Sequence, residues 1–431
     1  MTHVLIRCKD IESLKKPKAP AIRVPPKTDS QIYHDQLLYK GRGAPLWLPG
    51  PNLRLPKAYR LEGVRIGDVG IINESGGFSF LFNIFEHKDS EINRGKVPGG
   101  FEPLEWRNGS DSRLNTAGVD SDDVEEYSVY GDASWLGSRE ITQIDSPSSS
   151  GFTFKMGGPE GAILTMPDGA SSKDLVNRQA LKDYMTSNLE EWYKYVNHQR
   201  GREAKNGDLR LVYGCDKVAS WGIGTFRDDE NNYKSTQEIK MHFNAIRQQP
   251  YGTAGTPRRY VWKCAGGGSG RAGPAEREVK DLISRPDPMS MDIDGESQSH
   301  ADAQIENQCV FVRTFNAMLS ESIWESVITN PGATSDTGEN PEDETHRKSE
   351  RQNDSSGFRR EGHRPADSSE DNHASRGTFS GVQYMASVGE PSVIPHPSSL
   401  LNQFLLDQFP GAKMAITEDA DWIAAHNTVS R

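Results

Sequence analysis

The tripeptide Cys215-Asp216-Lys217 brings together a thiol, a carboxylate and an amine, the groups used in nucleophilic and acid–base chemistry. A lysine beside a thiol can lower the pKa of that thiol, but a nucleophilic cysteine also needs a base, and no histidine lies near it in the sequence. Apolar runs flank the tripeptide, which favours a turn with one buried thiol. We therefore assign no catalytic residue, and take Asp216, Lys217 and the nearby Trp221 as candidate binding residues.

The glycine-rich segment 263–271 shares only its glycine content with a phosphate-binding loop. It lacks the Gly-Lys-Ser/Thr ending that places a lysine and a hydroxyl on the phosphates. Arg271 stands where a nucleophile elbow requires its second glycine, so Ser269 has no strained turn to expose it. We expect a flexible hairpin loop here, and neither nucleotide binding nor a serine hydrolase.

The spacing of the potential ligands indicates no metal site. The eleven histidines are scattered, and the four cysteines, at positions 8, 215, 264 and 309, form no CxxC pair. The acidic runs 120–123 and 419–421 lack the spaced oxygen ligands and central glycine of a calcium loop. We expect no metal and no cofactor, and cysteines that are ordinary buried or free thiols.

The hydrophobic content is sufficient to form a core from only part of the 431 residues. Hydrophobic residues make up 34%, and Lys plus Arg total 50 against 61 for Asp plus Glu, a net charge of −11. This acidity opposes non-specific binding to nucleic acid or to anionic lipid. No apolar run is long enough for a transmembrane helix, and the N-terminus has no signal-peptide core. We expect a cytoplasmic protein, with the nucleus as a second compartment.

Short alternating runs, rich in β-branched and aromatic residues, predict an α+β fold that is mainly β. We expect an antiparallel β-sandwich-like body with one long packed amphipathic helix, an N-terminal β-hairpin module and a small C-terminal helix-strand unit. The predicted boundaries are a disordered arm at 1–30, a strap and hairpin module at 31–106, an acidic loop at 107–133, the sandwich body at 134–328, a disordered linker at 329–377 and the C-terminal unit at 378–431. Within the body we place the helix at 172–200 and a disordered loop at 285–307.

Turn residues and helix caps predict the positions of individual hairpins and helices. Residues 73–77 separate two β-rich runs and predict a hairpin from 64 to 85. A similar pattern predicts a second hairpin, which pairs 152–156 with 162–166. Ser171 and Asp174 form an S-x-x-D capping box that would begin the long helix. The remaining sandwich strands are predicted at 209–213, 220–226, 239–246, 259–264, 309–315 and 318–327.

Several longer strings carry a family resemblance. They are Gly43 to Pro51, Glu62 to Gly70, Phe78 to Ile84, Tyr213 to Lys217 with Ser220 to Gly222, Asn307 to Arg313, and His396 to Ser398 with Ala415 to Trp422. Together they resemble a large, expanded family of intracellular proteins from mushroom-forming (basidiomycete) fungi. The resemblance covers most of the chain and implies a fungal source. It brings no established activity, substrate or catalytic residue.

These observations favour a non-enzymatic intracellular binding or regulatory protein that acts through protein–protein contacts, with a partner protein still to be identified. Two alternatives stay open. The first is a soluble membrane-active β protein, lipid-binding or pore-forming, which would contact a membrane surface. The second is a hydrolase whose acidic and histidine residues meet only in three dimensions. We expect no nucleic-acid partner.

Overall fold

The structure is a computed structural model. It describes residues 26–107, 118–144, 151–227, 240–246, 259–265, 268–275, 277–279, 282, 305–329 and 396–423. The helices in these ranges include α1 (Asp29–Leu37), α2 (Lys57–Glu62), α3 (Gln179–Lys194), α4 (Glu321–Thr329) and α5 (Pro397–Gln408). A π-helical turn, Tyr195–Gln199, extends α3, and short 3-10 turns lie at Leu38–Lys40 and Ser121–Asp123. None of the described helices is long and apolar enough to cross a bilayer.

Strands outnumber helices along the described chain. They are β1 (Ala44–Pro45), β2 (Asp68–Ile72), β3 (Phe78–Asn83), β4 (Glu105–Arg107), β5 (Gly118–Asp120), β6 (Val124–Tyr130), β7 (Ser134–Gly137), β8 (Ile141–Gln143), β9 (Gly151–Met156), β10 (Glu160–Met166), β11 (Ala170–Leu175), β12 (Arg210–Val218), β13 (Trp221–Arg227), β14 (Lys240–Ile246), β15 (Arg259–Ala265), β16 (Gly268–Gly273), β17 (Gln308–Leu319) and β18 (Met414–Glu418). The fold is mixed α+β and mainly β, as predicted.

The largest sheet is built around β17, whose twelve residues are all buried. Its order is β1-β17-β12-β11-β6, with β18 also on β17 and the β2–β3 hairpin on β12. Two four-stranded sheets have the orders β16-β13-β10-β7 and β15-β14-β9-β8, and all of these pairings are antiparallel. The sandwich-like arrangement of antiparallel sheets agrees with the sequence prediction.

Helix α3 covers one face of the largest sheet. Its buried residues recur every three or four positions, as in an amphipathic helix, and are Leu181, Met185, Leu189, Trp192 and Tyr193. They pack in one cluster with Val69 and Phe82 of the hairpin and with Leu211 and Phe315 of the central strands. The N-terminal hairpin and the sheet therefore share a single core. The C-terminal unit joins the same sheet, because β18 pairs with β17.

Three element predictions in the middle of the chain are wrong. The turn expected at Cys215-Asp216-Lys217 does not form, because the three residues lie within strand β12. The segment around Ser171 and Asp174 does not begin a helix, because it pairs on both sides as strand β11, with β6 and β12. The long helix starts at Gln179 instead of 172, and its N-cap residue Arg178 makes no side-chain cap. Strands β9 and β10 do not form a hairpin, because β9 pairs with β8 and β14 while β10 pairs with β7 and β13.

Three further boundaries change. The predicted acidic loop at 107–133 contains strand β6, which lies against β11 and sets Glu126 beside Lys173, 3.1 Å from carboxylate oxygen to amine. The predicted strand at 318–327 is the end of β17 followed by α4. The predicted arm at 1–30 overlaps α1, which Thr28 begins with a capping box. The rest of that arm, and most of the loop at 285–307 and of the linker at 329–377, lie outside the described residues.

Candidate binding groove

Strand β12 places the two charged candidate residues on opposite faces of the largest sheet. Successive side chains of a strand alternate between its faces, so Asp216 and Lys217 point in opposite directions. On the neighbouring strand β11, Ser172 lies opposite Asp216 and Ser171 lies opposite Lys217. One face is thereby built around a buried carboxylate, and the other around an amine.

Asp216 is fully buried and holds two arginines. Arg42 donates from Nε to one carboxylate oxygen at 2.8 Å and from Nη2 to the other at 2.7 Å, a bidentate pair. Arg313 donates from Nη1 to Asp216 at 2.8 Å and from Nη2 to the Ser172 hydroxyl at 2.9 Å, and it also pairs with Asp174. Burial opposes the charge of Arg313, but Asp216 and Asp174 outweigh it and raise its pKa. The candidate Asp216 thus holds the sheet together and is closed to an incoming molecule.

Gly214 makes room for this ion-pair network. A Cβ added at Gly214 would collide with the Asp174 carboxylate and would approach Nε of Arg313 to 2.8 Å. Because glycine has no Cβ, the side chains of Arg313 and Asp174 can meet directly above the backbone of β12 at this position. In the Gly-Cys-Asp-Lys string, Gly214 therefore leaves room for the ion-pair network, Asp216 is the buried carboxylate of that network, and Lys217 lies on the opposite face of the sheet.

The opposite face carries an open groove, which we call the Lys217 groove. It consists of two cavities, of about 410 and 230 Å³, that share Glu62, Lys173 and Lys217 in their linings. The lining also includes Ala58, Leu61, Arg65, Ile66, Asn83, Phe85, Glu86, Trp106, Val124, Glu126, Ser171, Cys215 and Glu306. Helix α2, the hairpin and strands β6, β11 and β12 therefore form its sides and floor.

Lys217 is the most enclosed charge of this groove. Its residue surface is 4% exposed, and Nζ donates to the backbone carbonyl oxygen of Glu62 at 2.8 Å. Lys173 pairs with Glu126, and Arg65 pairs with Glu62 at 3.2 Å and with Glu86 at 3.0 Å. No carboxylate in the described ranges forms an ion pair with Lys217. A carboxylate of a bound molecule would therefore supply the ion pair that Lys217 lacks.

An aromatic pair forms another part of the wall. The rings of Phe85 and Trp106 are stacked with their centroids 4.1 Å apart and an interplanar angle of 24°. Trp106 is 40% exposed, whereas most large aromatic side chains of the described core are buried. An exposed tryptophan over a second ring offers a rigid apolar surface to a ligand.

Trp221, the third candidate, lies away from the groove. Its side chain is 5% exposed, packs in a core cluster with Tyr33 and Phe311, and donates from Nε1 to Gln308 at 3.0 Å. Of the three candidates, the structure places only Lys217 in the lining of the groove.

The cysteine chemistry is also restricted by burial. A hydrogen bond with Cys309 lowers the pKa of Cys215, and burial raises the pKa of Cys309. Both thiols are free and buried, and Cys264 is free and exposed, as expected for ordinary thiols. Cys215 is 1% exposed and its Sγ lies 3.7 Å from the Val64 carbonyl oxygen. No histidine of the described chain lines the groove, so this thiol has no base there.

Sequence reasoning did not identify the residues that surround Lys217. The sequence predicts Lys173 at the start of a helix, whereas in the structure it lies in strand β11 and burial alternates over 170–173. Trp106 and Glu306 reach the groove through long-range folding and have no local signal. Over the residues that the structure describes, no group of three or more His, Cys, Asp or Glu side chains is arranged to hold a metal ion.

No protein-family model, curated protein or solved structure matches this chain. The groove must therefore be interpreted from its own geometry and charge.

Proposed function

We propose that this is a non-enzymatic intracellular binding protein, and that the Lys217 groove takes a short extended segment of a partner protein. An acidic side chain of the partner pairs with Lys217, and an apolar or aromatic side chain lies against Trp106. The observation that carries the proposal is the nearly buried Lys217 ammonium, whose hydrogen bond goes to a neutral backbone carbonyl. A carboxylate brought to such a site forms a charge-assisted contact that is stronger than a neutral one.

The mixture of charges in the groove supports a protein ligand over a polyanion. Its lining has three cations, Arg65, Lys173 and Lys217, and four carboxylates, Glu62, Glu86, Glu126 and Glu306. A nucleic acid or an anionic membrane presents negative charge throughout and would meet those carboxylates. A peptide can place one carboxylate on the lysine and neutral or basic groups elsewhere.

The arrangement of the titratable groups favours binding over hydrolysis. Three carboxylates with raised pKa values, the buried Asp68 and Asp419 and the half-buried Asp208, are absent from the groove lining. The carboxylates in the lining are engaged by neighbouring groups: Ser171, for example, donates from its hydroxyl to Glu306 at 2.6 Å. The groove therefore offers charge recognition and an apolar wall without a paired acid and base.

A random-peptide display on the full-length protein tests this proposal. Selected peptides are expected to share an acidic residue and an apolar one, and Lys217→Met is expected to weaken their binding by about tenfold or more. The matched control is Lys413→Gln, which removes an exposed charge far along the chain and is expected to leave the affinity unchanged.

Two outcomes would overturn the proposal. One is a set of selected peptides without acidic residues, or one that binds the Lys217→Met protein equally well. The other is dye leakage from phosphatidylcholine or phosphatidylserine vesicles at protein concentrations where no peptide binds, which would favour the membrane-active alternative. Circular dichroism of each variant establishes that it is folded before its affinity is compared.

A further inference from the structure

A third cavity, of about 90 Å³, lies where helix α1, the turn after β2, the start of β12 and the start of α5 meet. Its lining includes Arg210, His34, His396, Asp208 and Glu74, and none of these residues lines the Lys217 groove. Its volume is suited to a small ion or a few waters and excludes a nucleotide or a peptide.

Arg210 is the main feature of this cavity. It is 6% exposed, and its Nη1 has no hydrogen-bond partner. None of the described carboxylates forms an ion pair with it; Asp419 and Asp208 act on its charge from a longer distance. A buried guanidinium with unused donors is costly unless an acceptor reaches it, because arginine keeps its charge.

His396 adds a second unused donor beside it. The backbone N–H of Ser398 donates to Nδ1 of His396 at 3.2 Å, so the neutral ring carries its proton on Nε2. This Nε2 is buried without a hydrogen-bond partner, and the nearest carboxylate oxygen, on Asp419, is 3.5 Å away. The Ser398 hydroxyl, at the same helix start, is also buried and unpartnered. Two donors that line the cavity, on Arg210 and His396, are thus left without a hydrogen-bond acceptor.

The acidic residues of the lining limit the charge of a ligand. Glu74 is exposed, and Asp208 accepts from the Lys205 backbone N–H at 2.8 Å, so its carboxylate is already engaged. With Asp419, whose carboxylate lies 3.5 Å from Nε2 of His396, three carboxylates lie near the cavity, and they repel a dianion more strongly than a monoanion. A compact group with one negative charge can therefore pair with Arg210 and is repelled least by these carboxylates.

We propose that this cavity is a binding site for a compact, singly charged oxyanion, either a carboxylate or monobasic phosphate, held by Arg210 and by Nε2–H of His396. The ligand supplies the acceptors that both donors lack. This site is separate from the Lys217 groove and does not depend on the function proposed for it.

The test is a titration of the full-length protein with sodium acetate, sodium phosphate at pH 6 and sodium sulfate, each against sodium chloride at equal ionic strength. Thermal unfolding and the ring ¹⁵N resonances of histidine are followed. Acetate or phosphate is expected to raise the midpoint of unfolding and to shift one buried histidine saturably below about 50 mM. Sulfate is expected to act more weakly. Acetate and phosphate distinguish the two sources of the oxyanion.

Arg210→Gln is expected to weaken the response by about tenfold or more, and Arg202→Gln, which alters an exposed arginine eight positions earlier, to leave it unchanged. The titration of the unmodified protein tests the proposal even if Arg210→Gln fails to fold. If neither acetate nor phosphate produces a saturable change beyond that of chloride, water alone fills the cavity and the proposal is wrong.

Discussion

Asp216 and Lys217 are consecutive residues of β12, yet one is the fully buried centre of an ion-pair network and the other is the enclosed charge of an open groove. Because successive side chains of a strand point to opposite faces, the sheet has the ion-pair network on one face and the groove on the other. Structure and recognition can therefore be tested separately by changing neighbouring residues.

Asp216→Asn is expected to destabilise the fold strongly. The substitution leaves Arg42 and Arg313 facing an uncharged amide, and uncompensated buried charge costs about 3 kcal/mol or more. Urea unfolding followed by tryptophan fluorescence measures the loss. The exposed Asp407→Asn serves as control and is expected to change the unfolding free energy by less than about 0.5 kcal/mol. Equal effects of the two substitutions would contradict the role given to Asp216.

Gly214→Ala is expected to lower stability by about 1 to 3 kcal/mol, because the added methyl group collides with the Asp174 carboxylate. The direction is informative, since alanine in place of a strand glycine otherwise tends to stabilise. Gly411→Ala is the control, because its added Cβ has no atom within 4 Å. A Gly214→Ala protein as stable as the unmodified one would show that the network has room to move.

The pH dependence of stability is expected to reveal Asp68. Burial raises its pKa from 3.8 to about 6, against the opposing effects of Arg65 and of hydrogen bonds from Asn83 and Tyr59. Between about pH 4 and 6 the folded state therefore holds a proton that the unfolded state has lost, so stability falls as pH rises through this window. Relative to Asp68→Asn, the unfolding free energy is expected to drop by about 2 kcal/mol from pH 4 to 6, and by about 3 kcal/mol in all once it levels off above about pH 7. A difference that rises with pH would indicate an ionised Asp68 and contradict this assignment.

Trp106→Ala is expected to weaken the binding of peptides selected on the groove by about threefold to tenfold, because it removes an exposed ring that is stacked on Phe85. Phe409→Ala is a matched control, since Phe409 is 63% exposed and does not line the groove. Isothermal titration of one selected peptide against both variants measures the difference. An equal loss in the two proteins would remove Trp106 from the proposed contact.

Elements that depend on residues close together in the sequence could be predicted from local patterns. The hairpin of β2 and β3 forms as expected, because its turn residues lie between two β-rich runs. The sequence predicts a helix over 172–200 because Ser171 and Asp174 match a capping box and an amphipathic pattern follows. The pairing of 171–174 with β12, 40 to 46 positions later, overrides that local preference at the start of the predicted helix.

The candidate site was predictable to a smaller extent. Lys217 was found from its residue type and its place between apolar runs. Its companions Ser171, Trp106 and Glu306 come from distant parts of the sequence, and only long-range contacts, such as the register of β11 on β12 that places Ser171 opposite Lys217, bring them to one groove. No spacing rule within a single sequence can supply such long-range pairs.

The order in which a ribosome makes this chain sets a constraint on its folding. Arg42 precedes Asp216 by 174 residues, but Arg313 follows it by 97. While the nascent chain ends before β17, strand β12 lacks its principal neighbour and Asp216 lacks one of its two counter-ions. The largest sheet must therefore assemble late in translation, and a chain that stalls between β12 and β17 exposes an apolar strand edge to the chaperones of its cell.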